Sequence, residues 1–208
     1  MDELEACQIA VGTYDDLPEM RWLEERLNAA IFDCRVVAQA RAELKPDRRQ
    51  SAILDVVPTA LSNAQAIFHL LKLGYLPAAH ALCRPLFEAT GISNLLMDDD
   101  KWVSFWAEGW PQNGRPSLAK LISHISGENP QELDAIRALA NEFHLAIHVT
   151  QTAAEVNASA SPDGAEVHWF GPIPTAKERV ANIACAAALC AVVLASNAKQ
   201  AFLNNAST

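Results

Sequence analysis

LPAAHALCRPLFEATGISNLLM, residues 76–97, holds two formal charges, Arg84 and Glu88, in twenty-two positions. On a helix His80, Arg84 and Glu88 fall four residues apart on one polar stripe, while Leu82, Leu86, Phe87, Ile92 and Leu96 make the rest of the surface apolar. A helix apolar nearly all round is a buried helix, and buried charges are costly unless paired and hydrogen-bonded. The stretch therefore predicts a helical bundle in which another helix brings polar partners to the stripe. Pro85, directly after Arg84, leaves the Ala81 carbonyl without its helical donor and kinks the helix beside the charged pair.

The neighbouring sequence is helical on both sides. Leu17 to Leu44 carries Met20, Leu23, Leu27, Ile31, Cys34 and Val37 at helical spacing, with Asp16 as cap and Pro18 in the first turn. Its opposite face, with Glu24, Glu25, Arg26, Arg35 and Arg41, is a solvated side. Asp47 starts a second helix to about Leu73, bent at Pro58; Gly74 ends it and Pro77 opens the third. Asp98 to Asp100 cap a fourth helix, KWVSFWAEGW, whose Trp102, Trp106 and Trp110 repeat every four residues and suit packing or a subunit interface better than a ligand platform. After the loop PQNGRPS come a short helix, SLAKLISHIS, and a long one from Pro130 to about Asn157. Turn signals and strand formers around 158–172 predict an ordered loop or small hairpin, and a final helix spans Thr175 to about Leu203.

Half of the 208 residues are hydrophobic, which suits a single all-α domain over 1–208, an up-and-down antiparallel bundle of five to seven helices. The net charge of -9 gives no general attraction to phosphate backbones or anionic lipid, and no basic cluster exceeds KPDRR at 45–49, so neither DNA nor membrane is expected as a partner. Five cysteines, odd in number and without a CxxC, read as buried thiols of a reducing compartment; with an acidic N-terminus they indicate a cytoplasmic protein. VANIACAAALCAVVLA, residues 180–195, falls short of the roughly 20 residues of a membrane span and is flanked by charges, so it reads as a central or interface helix.

A second polar stripe runs along the 130–157 helix: Arg137, Asn141, His144 and His148 beside the apolar Leu133, Ile136, Ala140, Phe143 and Ile147. Four chemistries compete for it. His144 and His148, one turn apart, have the spacing of metal ligands, but HLAIH lacks the Glu of HExxH and no ExxH accompanies it, so neither a metal nor another cofactor is expected. Arg137 and His144 have the types required for metal-independent RNA cleavage, one moving a proton and the other stabilising the charged intermediate. No Ser or Cys sits in a nucleophile elbow or dyad. The fourth is structural: His80, Arg84, Glu88, Asn141, His144 and His148 form a satisfied buried network that fixes helix register.

RPLFEA at 84–89, followed by HLAIHVT at 144–150, resembles a group of uncharacterised bacterial helical proteins in which an R-x-L-x-E helix pairs with a later His-bearing helix, a group allied to HEPN domains. The resemblance spans about Leu71 to Asn157. It implies an antiparallel bundle, a homodimer formed through the Ala-rich or Trp-bearing surfaces, and a role in toxin–antitoxin, defence or stress systems. It points to Arg84, Glu88 and His148, with His144 where relatives carry Ser, and to RNA or a small anionic, nucleotide-like group as ligand. Catalytic HEPN ribonucleases place a polar residue after the motif Arg, whereas Ala138 follows Arg137 here.

Overall fold

Prolines and caps set where the first four helices start in this computed structural model, which describes residues 14–43, 45–111, 114–125, 140, 158–160, 166–168 and 177–203. Pro18 opens α1 (Pro18–Glu43). Asp47 starts α2 (Arg48–Lys72) with a reciprocal cap: its side chain accepts the Gln50 amide at 2.8 Å, and its own amide donates to Gln50 Oε1 at 2.9 Å. Gly74 closes α2, and Pro77 sits in the first turn of α3 (Leu76–Asp98). Pro58 and Pro85 both lie at exposed positions inside their helices.

Asp99 caps α4 (Asp100–Ala107) by accepting the Lys101 amide at 2.8 Å. This helix stops before the predicted Trp110. Gly109 and Trp110 both take positive φ, 71° and 57°, and the Trp110 amide donates back to Phe105 at 2.8 Å. The reversal folds Trp110 against Trp102 and Trp106, with ring centroids 6.5 and 5.8 Å apart, so aromatic packing offsets the strain of a left-handed tryptophan. The three tryptophans thus meet through a turn rather than along a helical stripe. Next come α5 (Leu118–Ile125), a two-stranded antiparallel ribbon of β1 (Ala158–Ala160) and β2 (Glu166–His168), and α6 (Lys177–Leu203). The ribbon realises the expected hairpin. Of the 130–157 helix, Ala140 is described, helical and buried; the other residues of that span lie outside the described residues.

The architecture is an all-α bundle around α6. Asp33 pairs with Lys199 at 3.1 Å, and Glu19 bears on Cys185, so α1 and α6 rise together. Asn197 bonds Ser93, and Arg179 bears on His80, which makes α3 parallel to α6 as well. Gln50, at the start of α2, donates to the Ala201 carbonyl at the end of α6, so α2 runs the other way. The chain therefore goes up, down and up through α1, α2 and α3, with α6 inserted among them. Ala184, Ala187, Ala188, Ala191, Ala195 and Ala198 of α6 are buried, and their small side chains let three helices approach closely. Lys177–Phe202 is, among the described residues, the helix long and apolar enough to cross a membrane, yet most of it is enclosed by α1, α2 and α3.

Candidate functional site

The polar stripe of α3 begins in the core and ends at the surface. His80 is buried among apolar neighbours, and one turn later Arg84 Nε donates to Glu88 Oε1 at 3.0 Å. The Arg84 and Glu88 side chains are 30 % and 20 % exposed, which corrects the expectation of full burial. Ala81 and Pro85, the positions beside the pair, face water, so the stripe lies along the rim of the buried face. The second partner of Glu88 was not legible in the sequence: Arg115 Nη2 donates to Glu88 Oε2 at 3.1 Å. Both carboxylate oxygens are thus engaged by guanidinium groups from two different segments.

A tight turn delivers Arg115. The Gly114 amide donates to the Pro111 carbonyl at 2.6 Å, and a Cβ on Gly114 would stand 2.9 Å from that oxygen, so the turn requires glycine. In the sequence, the signal was a lone arginine between Gly114 and Pro116, two residues that restrict where it can point. Its remaining N–H groups are directed to a largely exposed setting, and a guanidinium fork matches carboxylate and phosphate oxygens in pairs.

Electrostatics distinguish the two ends of the stripe. Burial pushes the His80 imidazole down to about 4, and the Arg179 cation in the first turn of α6 adds to the effect. His80 is therefore neutral near pH 7 and contributes no positive charge, while Arg84, Arg115 and Arg179 contribute three. Glu88 is bonded to Arg84 and Arg115. Arg137, Asn141, His144 and His148, the remaining predicted site residues, lie outside the described residues.

Further along α3 is a cluster that no motif announced. Asn197 Nδ2 of α6 donates to Ser93 Oγ at 2.9 Å and to Asn94 Oδ1 at 2.6 Å. Ser93 then donates to the Thr90 carbonyl at 2.8 Å, and Asn94 Nδ2 to the His124 carbonyl of α5 at 3.0 Å. These bonds run in one direction and join three helices. The available signal was Asn197, one of two Asn in the Ala-rich last helix, together with Thr90, Ser93 and Asn94 grouped on one turn.

Three of the thiols are poor nucleophiles. Cys190 is buried and pushed up to about 11 by desolvation, partly countered by a hydrogen bond with Thr90. Burial also raises Cys34 and Cys185, each with a nearby acid adding to it, Asp33 and Glu19 respectively. Two adjoining clefts of about 480 and 600 Å³ open beyond the C-terminal end of α3, sharing Asp47, Arg48, Val103 and Ser104. Their lining sets Arg48 and Arg49 against Asp47, Asp55, Asp100 and Glu108; Asp47 is engaged as a cap, and Arg49 pairs with Asp100 at 2.6 Å. Two guanidinium groups from different segments converging on one carboxylate, rather than cavity size, mark the α3 rim as the candidate site.

No family profile, curated protein or solved structure matches the chain.

Proposed function

We propose that this is a cytoplasmic, HEPN-like bacterial protein of defence or stress type that binds a small anionic, nucleotide-like group at Arg84 and Arg115. The observation that carries this reading is the sharing of Glu88 between two arginines, one from α3 and one from a glycine-dependent turn. Glu88 holds both guanidinium groups in place, so an incoming carboxylate or phosphate meets donors that are already oriented. Pre-orientation lowers the ordering cost of binding. The neutral His80, beside Arg179, leaves the buried end of the stripe uncharged. The R-x-L-x-E pattern and the all-helical architecture support the HEPN-like assignment.

Thermal melting at constant ionic strength with ADP, inorganic pyrophosphate and adenosine tests the proposal. The two phosphate compounds should raise the melting temperature and adenosine should not; at one hundred times its dissociation constant a ligand adds about 2.7 kcal/mol. If millimolar ADP and pyrophosphate leave melting unchanged, the proposal fails.

A further inference from the structure

The groove between α2 and α4 is electrically polarised along its length. The two helices run parallel: Arg49 pairs with Asp100 at 2.6 Å at one end, and the Trp106 indole N–H donates to Asp55 Oδ2 at 3.3 Å at the other. Arg48, Ser51, Ala52 and Asp55, at the spacing of a single helix face, form the α2 wall of the larger of the two adjoining clefts, about 600 Å³ in volume. That is the size of a small-molecule site. The helical rise puts Arg48 about 10 Å from Asp55 along the axis, and no ion pair joins the two among the described residues.

The charges left unmatched at the two ends are opposite. At the first end Arg48 has no ion pair among the described residues, and the Nε of its neighbour Arg49 is buried without an acceptor among them. Asp47, beside them, is engaged as the cap of α2. At the second end Glu108 has no cationic partner among the described residues, and Asp55 is bonded to a neutral indole. Trp106 lines this end, with Trp110 packed edge-on 5.8 Å from it. An aromatic ring beside carboxylates attracts an organic cation, and a free guanidinium fork attracts a carboxylate. A ligand carrying both charges on one chain matches both ends at once.

We propose that this cleft binds a small elongated zwitterion, an amine-bearing carboxylic acid of the lysine type, with its carboxylate on Arg48 and its ammonium against Trp106, Asp55 and Glu108. The cleft shares no residue with the Arg84–Arg115 cluster and does not depend on it. Calorimetric titration of the full chain with ε-aminocaproate, hexylamine and caproate reads each end separately. The zwitterion should bind saturably, about tenfold or more tighter than either singly charged analogue. Arg48→Gln should reduce ε-aminocaproate toward the affinity of hexylamine and leave hexylamine no weaker, while Glu108→Gln should weaken both amines together. Both side chains are exposed, so neither variant should alter the circular dichroism spectrum. Arg84→Met should leave all three titrations unchanged, which separates this cleft from the α3 rim. Hexylamine binding as tightly as ε-aminocaproate would overturn the proposal, because it would reveal only the general pull of an acidic chain on amines. So would the absence of ε-aminocaproate binding at millimolar concentration, or binding that Arg48→Gln does not weaken.

Discussion

The two polar clusters on α3 are less than three helical turns apart and differ in kind. Around Thr90, Ser93, Asn94 and Asn197 donors and acceptors are matched within the protein, the groups are neutral, and three helices are joined. Around Arg84, Glu88 and Arg115 the groups are charged and partly exposed, and a solvent-facing guanidinium retains donors. The first arrangement stabilises the fold because breaking it leaves buried groups without partners. The second contributes little to the fold, since exposed ion pairs are screened, but it presents oriented charge to the outside. Polarity in a helix core therefore indicates function only where the partners do not close on themselves.

The largest effect should come from the closed cluster. Asn197→Ala removes the donor of Ser93 Oγ and Asn94 Oδ1 together and should cost about 3 kcal/mol, read as a lower urea midpoint. A loss below about 1 kcal/mol would break the distinction between the clusters.

Acid should act at the buried end of the other stripe. His80 has a folded value near 4 against an unfolded value near 6.5, so the unfolded chain takes up its proton first. The stability His80 lends is fully present above about pH 6.5 and declines as pH falls toward 4, by up to about 3 kcal/mol. His80→Leu should flatten that part of the pH–stability curve; an unchanged slope would show that imidazole burial is not its cause.

Gly91 tests how closely α3 and α5 must approach. A Cβ there would stand 2.7 Å from Leu121 Cβ, so Gly91→Ala should cost about 2 kcal/mol and loosen α5, seen as faster amide exchange at Leu121. The smallest effect on stability should be that of Arg84→Met, under about 1 kcal/mol by urea unfolding, because the pair is only half-buried and the side-chain stem is retained.

The boundaries of α1, α2 and α3 were legible because proline, glycine and Asp47 act locally, each fixing a backbone angle or a cap. The Ala-rich stretch was legible as a central helix for a similar reason: its composition describes the neighbours it needs. The predicted stripe of tryptophans was less so, since Trp110 reaches Trp102 through two left-handed residues that helical periodicity cannot foresee. Arg84 and Glu88 were readable as an anomaly, but their placement at the rim depends on which side of α3 the other helices cover. Arg115 and Asn197 act across 27 and 104 residues of chain, and no local pattern encodes such a meeting.

The central claim is that Arg84 and Arg115, held by Glu88, form an anion site. Its most direct test is calorimetric titration of pyrophosphate into the wild-type protein, Arg115→Met and Gly114→Ala, with unfolding curves confirming that each variant is folded. The account predicts saturable binding to the wild type, weakened at least tenfold in Arg115→Met and also reduced in Gly114→Ala, where the arginine is intact but its turn is displaced. Equal pyrophosphate affinity in all three proteins, or none in the wild type, would contradict it.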